Sequence, residues 1–189
     1  MAEIKVARTA GFCFGVDRAV KLVYSELEKS GKKVATLGPI IHNADVVNDL
    51  KSKGVRIVDS VSELREGKEA VIRSHGVGKE IYEELEKKGN PYIDATCPFV
   101  ARIHKIVGEK SREGYFILIA GDKNHPEVQG IVSHCDENCF VFKDETQLKT
   151  FFSKNYKNLE KKLAIVAQTT YNILIWGECL KVIPKNDEN

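Results

Sequence analysis

The strongest constraint on the fold is an internal duplication, in which one order of strand, cysteine, helix, strand and histidine is written twice. Thr9-Ala10-Gly11-Phe12-Cys13-Phe14-Gly15-Val16 has its counterpart in Asp94-Ala95-Thr96-Cys97-Pro98-Phe99-Val100. A short β-type run, Ile4 to Ala7 or Tyr92 to Ile93, leads into each cysteine, and an amphipathic stretch follows. The two cysteines are 84 residues apart. Further on, the apolar runs Val34 to Leu37 and Tyr115 to Ala120 reach Gly38 and Gly121, then His42 and His125, 83 residues apart. Ala70-Val71-Ile72-Arg73-Ser74-His75 resembles Leu163-Ala164-Ile165-Val166-Ala167-Gln168-Thr169. The 22-residue step from His75 to Cys97 places a third cysteine near position 191, and the sequence ends at Asn189. Solenoid repeats run at about 20–50 residues, so this period is too long for one. It fits duplicated α/β lobes whose matching loops gather polar residues near a pseudo-symmetry axis.

Strand-like and helix-like runs alternate throughout. Val16, Ala19, Val20, Val23 and Leu27 recur at helical spacing, with Lys21, Glu26 and Glu28 expected outside and Gly31 as the left-handed stop. The first half then reads strand 34–37, helix 45–53, strand 55–58, a short helix from Ser62 to Arg65, strand 70–73 and helix 79–88, the last with Ile81, Tyr82 and Leu85 inward. The second half reads strand 92–93, helix 99–112, strand 115–120, helix 127–133, strand 140–142, helix 145–152, strand 163–167 and helix 171–182. Strands separated by helices imply parallel sheets with crossovers. The expected architecture is two pseudo-symmetric α/β lobes, residues 1–96 and 97–189. Ligands of such sheets bind at loops leaving the carboxyl ends of strands. Those loops hold Cys13, His42, His75, Cys97, His125 and Thr169.

A net charge of +2 gives no support to a general nucleic-acid or membrane role, and the cluster Lys154, Lys157, Lys161 and Lys162 reads as a solvated face. Met1 to Arg8 has no apolar core of signal-peptide length, and the longest apolar run, Tyr115 to Ala120, is far short of a membrane span. The expected location is the cytoplasm. Five cysteines, Cys13, Cys97, Cys135, Cys139 and Cys179, show no secreted disulfide framework. Cys135 and Cys139 have only His134 beside them, so a surface loop with two free thiols is expected there ahead of a zinc site.

Cys13 and Cys97 sit at expected helix starts, Cys97 followed by a proline suited to the first helical position. Exposed amides and the helix dipole stabilise a thiolate there. One such cysteine is ordinarily a small buried residue, but two in matching turns suit a soft metal or an iron–sulfur cluster. His42, His75 and His125 stand at strand ends beside small residues, where imidazoles and backbone amides can bind an anion. His104 and His134 lack that setting and read as surface or structural residues. Glu127 is either a first-turn glutamate facing the helix dipole or a proton donor beside the anion, the second needing burial.

Six motifs together, Gly11-Phe12-Cys13-Phe14-Gly15-Val16, Ile41-His42-Asn43, Ser74-His75-Gly76-Val77, Asp94-Ala95-Thr96-Cys97-Pro98, His125-Pro126-Glu127-Val128 and Gln168-Thr169-Thr170, resemble the 4-hydroxy-3-methylbut-2-enyl diphosphate reductase family. The resemblance runs from about Ile4 to Thr170. It implies three α/β lobes around a [4Fe–4S] cluster held by three cysteines, with the fourth iron taking the substrate hydroxyl. It makes Cys13 and Cys97 cluster ligands, His42, His75 and His125 substrate-binding residues, the first two mainly at the diphosphate and His125 also catalytic, and Thr169 and Thr170 further substrate contacts. Glu127 becomes the proton source, with Thr169 or Thr170 as the active-site threonine. The implied reaction removes the hydroxyl of an allylic diphosphate with two electrons and two protons, giving isopentenyl and dimethylallyl diphosphates. The electrons come from an external donor such as ferredoxin or flavodoxin. The family's third lobe, its third cysteine and its Ser-x-Asn diphosphate loop are absent from these 189 residues. Cys179 is the only candidate replacement ligand, and it falls within a helix. The expectation is therefore a truncated form with an incomplete or labile cluster and little activity alone. The alternative is a non-catalytic module that binds a diphosphate or a partner; a thiol-redox protein ranks behind both, since there is no Cys-x-x-Cys pair.

Overall fold

Runs of three to five residues become short strands here, and each except β2, which is followed by a three-residue 3-10 turn, is followed by an α-helix. The computed structural model describes residues 3–30, 34–155 and 162–183. The expected stop at Gly31, Lys157 and Lys161 of the lysine cluster, and the polar tail after Ile183 lie outside the described residues. The elements run α1 (Phe14–Ser30), β1 (Ala35–Leu37), α2 (Ala44–Ser52), β2 (Arg56–Val58), a 3-10 turn (Val61–Glu63), β3 (Ala70–Ile72), α3 (Lys79–Lys87) and β4 (Tyr92–Asp94). They continue with α4 (Pro98–Arg112), β5 (Phe116–Ala120), α5 (Pro126–Ser133), β6 (Cys139–Phe142), α6 (Glu145–Asn155), β7 (Leu163–Ala167) and α7 (Ile173–Val182). Strands and helices alternate and all strand pairs are parallel, an α/β architecture.

The chain divides into two compact units. Unit 1 comprises residues 1–74 and 88–98, and unit 2 comprises residues 75–87 and 99–189. Unit 1 holds a four-stranded sheet in the order β2-β1-β3-β4. Unit 2 holds a three-stranded sheet in the order β6-β5-β7. The first strand of each unit is thus the central one, flanked by the next two. The agreement extends to single hydrogen bonds: Gly38 N donates to Val58 O at 2.8 Å, and Gly121 N donates to Phe142 O at 2.9 Å. Each bond ties the residue after the central strand to the end of its outer neighbour.

The core of unit 2 follows from the alternation of side chains along a strand. Ile117 and Ile119 of β5 face Val107 of α4 and Val128 and Ile131 of α5. Leu118 and Ala120 point the other way, onto Leu148, Phe151 and Phe152 of α6 and Cys179 of α7. All four β5 residues are fully buried, as a parallel strand covered by helices on both faces must be. In unit 1, Ala19, Val20, Val23 and Leu27 of α1 pack with Leu50 of α2 against Val71 of β3. Lys79 N of α3 donates to Ser133 Oγ of α5 at 3.1 Å, tying α3 to unit 2.

Three expectations need correction. Ile4 to Ala7 is not a strand: the segment pairs with neither sheet, and Ile4 and Val6 are 88% and 80% exposed. A β-type run becomes a strand only beside another strand, and none in either sheet lies alongside it. Glu26 is buried rather than outside, and its carboxylate takes an ion pair from Lys29 at 2.7 Å. The loop with free Cys135 and Cys139 is exposed at Asp136 and Glu137, but both cysteines are half-buried against the Ile117–Ile131 cluster. Among the described residues, no helix is long and apolar enough to cross a membrane.

Because Ile119 has no exposed surface and helices on its face cannot collapse far, Ile119→Ala is expected to cost about 2–5 kcal/mol. Urea unfolding followed by circular dichroism measures this as a lower midpoint with an unchanged slope.

Candidate active site

In unit 1 the chemistry gathers at two helix starts. Cys13 immediately precedes α1, a helix of 17 residues, and its carbonyl accepts the first helical bond from Asp17 N at 2.9 Å. The turn before it uses Gly11 at φ +138°, a conformation that a side chain would resist. Cys97 precedes Pro98 at the head of the 15-residue α4, and Cys97 N donates to Ser74 O at 2.9 Å. Gly15, two residues beyond Cys13, lies directly against Cys97 Sγ, where an added Cβ would collide with the sulfur. The two cysteine turns are therefore neighbours within this unit, and the missing side chain of Gly15 is what lets them approach.

Arg18 reinforces the arrangement. Its guanidinium donates to Thr96 O at 3.1 Å and Asp94 O at 3.2 Å, joining α1 to the strand end that delivers Cys97. Asp94 in turn accepts from Thr96 N at 2.8 Å. Sequence reasoning missed Arg18, because nothing in its spacing distinguishes it from a solvent-facing helical arginine. Cys13 is exposed and Cys97 half-buried. His42 is exposed and stands just before α2, whose N-cap Asn43 accepts from Val46 N at 3.1 Å.

Unit 2 presents a second group. His125 is the N-cap of α5, and its Nδ1 accepts from Glu127 N at 3.1 Å. That bond leaves the proton of a neutral ring on Nε2. The ring of His75 meets the ring of His125 edge-on, with centroids 5.7 Å apart. Glu127, in the first turn of α5, is 2% exposed. Both of its carboxylate oxygens are engaged by one residue: Thr169 N donates to Oε1 at 2.6 Å and Thr169 Oγ1 to Oε2 at 2.8 Å.

The neighbouring threonine is held differently. Thr170 Oγ1 accepts from Gln168 Nε2 at 2.9 Å, and Gln168 Oε1 accepts from Asp122 N at 3.3 Å. It is therefore Thr169, not Thr170, that shares the carboxylate. Gln168 belongs to the recurring motif, but its clamp on the β5–α5 loop had no signal in residue spacing. His104 and His134 stack on one another at 4.4 Å, with His104 buried, a packing role apart from these groups. Cys179 is fully buried in α7 among the side chains of α6, and burial pushes its thiol pKa up. That favours the protonated form over a metal-binding thiolate.

The pattern described as "LytB protein" matches residues 4–188 of this chain. The chain belongs to the LytB family. A LytB relative from Thermoanaerobacter sp. (strain X514), named 4-hydroxy-3-methylbut-2-enyl diphosphate reductase, is 46% identical over 184 residues, covering 96% of this chain and 62% of the relative. The enzyme of that name from Aquifex aeolicus is 43% identical over 196 residues, covering 97% of this chain and 65% of its own length. A solved structure of (E)-4-hydroxy-3-methyl-but-2-enyl diphosphate reductase, described as the terminal enzyme of the non-mevalonate pathway, superposes with a TM-score of 0.78 at 43% identity. It covers 96% of this chain and 63% of that one. The Plasmodium falciparum reductase gives a TM-score of 0.82 at 28% identity, covering 93% of this chain and 54% of that one. The chain thus spans about three-fifths of the length of the curated LytB relatives it matches.

Among the described residues, no group of three or more His, Cys, Asp or Glu side chains is arranged to hold a metal ion. Cys13 and Cys97 nevertheless fit an iron–sulfur cluster as two of its ligands, being soft donors at the starts of long helices in adjoining turns. Gly15→Ala is expected to force the Cys97 turn away from α1, at a cost of about 1–3 kcal/mol. Thermal unfolding of the variant beside the parent chain measures the loss.

Proposed function

We propose that this chain carries part of the machinery for reductive dehydroxylation of an allylic diphosphate, the reaction named for its LytB relatives. The observation that carries the reading is the buried Glu127 with both oxygens on Thr169, a proton-delivery pair in a chain whose relatives are named for such a reduction. The substrate would be 4-hydroxy-3-methylbut-2-enyl diphosphate, and the products isopentenyl and dimethylallyl diphosphates. The lobes would correspond to residues 1–96 and 97–189.

Loss of a hydroxyl as water needs a proton on the leaving oxygen. When Glu127 is protonated, its Oε2 can pass the proton to Thr169 Oγ1 while the threonine gives its own to that oxygen. The carboxylate that results keeps the amide bond from Thr169 N and faces the start of α5, where the helix dipole favours negative charge. His125 presents Nε2–H as a donor because Nδ1 is occupied, and His75 lies edge-on beside it, so the two imidazoles can share a phosphate oxygen. His42 stands exposed at the start of α2 as a further donor for the diphosphate. Cys13 and Cys97 would hold a [4Fe–4S] cluster. When bound, that cluster supplies single electrons and Lewis acidity; its electrons would come from a ferredoxin- or flavodoxin-like donor.

Only two of the family's three thiolates lie in these 189 residues, so turnover by this chain alone is expected to be low. Iron and sulfide reconstitution without air, followed by reduced-viologen oxidation in the presence of substrate, tests this directly. Expected are bound iron that is lost in Cys97→Ser but kept in Cys179→Ser, and little substrate-dependent oxidation. Robust turnover would overturn the low-activity reading, and absence of iron binding would overturn the ligand assignment. Calorimetry with pyrophosphate tests the anion site: His42→Ala is expected to weaken binding about tenfold, the loss of a charge-assisted hydrogen bond worth roughly 1.5 kcal/mol. Pyrophosphate binding in chain that holds no iron would favour a diphosphate-binding module instead.

A further inference from the structure

At the end of unit 2 remote from Thr169, two further thiols pack against one apolar cluster. Cys135 follows the C-terminus of α5, and Cys139 opens β6, where it lies opposite Ile117 of β5. Only Asp136, Glu137 and Asn138 separate them. Both side chains pack against the cluster formed by Ile117, Ile119 and Ile131, and the Cys135 thiol also reaches Ile131 O at 3.7 Å. The backbone between them is pinned on each side of the turn. Asp136 N donates to Ser111 Oγ at 2.8 Å, and Asn138 O accepts from Ile117 N at 2.9 Å. Both cysteines are half-buried.

The geometry points to Cys135 and Cys139 as a dithiol that closes to an intramolecular disulfide by exchange with a low-molecular-weight disulfide. The neighbouring Cys135 holds the Cys139 thiol below the usual thiol range, so a larger share of Cys139 is thiolate at neutral pH. Cys139 and burial together push Cys135 up and keep it protonated. The roles divide accordingly. Cys139 thiolate attacks one sulfur of the incoming disulfide, breaking its S–S bond, forming a mixed disulfide and releasing one thiolate. With the charge on Cys139 gone, one cause of the raised Cys135 pKa is removed, and Cys135 gives up its proton to solvent. Its sulfur then attacks Cys139 Sγ and expels the second thiolate. The protein loses two electrons and two protons, and the small disulfide is reduced to two thiols.

The pair also suits direct mapping. Trypsin cuts after Lys123 and Lys143 and nowhere between, so one peptide, Asn124–Lys143, carries both sulfurs and no other cysteine. After the intact chain is treated with oxidised glutathione at pH 7, this peptide is expected to lose two hydrogens without retaining glutathione. Cys135→Ser keeps a hydroxyl donor beside Cys139 and is expected to accumulate glutathione there. Cys139→Ser is expected to take it up at Cys135 at least about threefold more slowly, allowing for the lower nucleophilicity of a lower-pKa thiolate. A urea-unfolded parent chain is expected to react about threefold more slowly than the folded one, which needs no variant to fold. A peptide that stays reduced, carries two glutathiones, or reacts no faster folded than unfolded would overturn the proposal, as would equal rates in the two variants.

Discussion

Parallel pairing is the constraint on which the rest of this chain depends. Two parallel strands cannot be joined by a tight turn, so each pair requires a crossover, and the crossover helices cover both faces of the sheet. In unit 2 this buries Ile117 to Ala120 of β5 completely and leaves them no polar freedom, which moves the chemistry to the loops. The loops at the carboxyl ends of β5 and β7 then face the same end of one sheet. Glu127 and Thr169, 42 residues apart, become a hydrogen-bonded pair for that reason alone.

The same constraint explains why so much was legible in advance. Buried strands between amphipathic helices leave a strong periodic signal, and β7 falls at residues 163–167, where its apolar run stands. Residues that repeat at matching strand ends point to Cys13, Cys97 and His125, and Glu127 stands out by its place two residues after His125. What spacing could not carry was contact between elements. Arg18 reaches the carbonyls of Asp94 and Thr96 across more than seventy residues, and a single helical arginine does not advertise such a target. The choice between Thr169 and Thr170 likewise rests on which hydroxyl the turn after β7 aims at Glu127, a matter of backbone direction rather than composition. Ile4 to Ala7 erred the other way: its residues suit a strand, but strand formation is a property of two segments and not one.

Small residues act here by what they omit. Gly15 matters because no Cβ stands between α1 and the Cys97 sulfur. Gly121 has a parallel role in unit 2, where an added Cβ would meet Val128 of α5 and Gln168 of the β7 turn. In each unit a glycine next to the chemistry holds two loops at backbone distance, and the functional side chains stand on either side of it.

The sheet orders β2-β1-β3 and β6-β5-β7 also govern the order in which the chain can be assembled as it is made. In each unit the central strand leaves the ribosome first, with both of its edges unpaired. β5 must wait for Phe142 before one edge is covered and for Ala167 before the other is. During that interval its run of Phe, Ile, Leu, Ile and Ala is an aggregation hazard for the nascent chain, being apolar and uncharged. α5, which arrives next, carries Val128 and Ile131 to one face of β5 before any strand pairs with it. The helix that bears Glu127 would then serve the growing polypeptide first as a cover for an unfinished sheet.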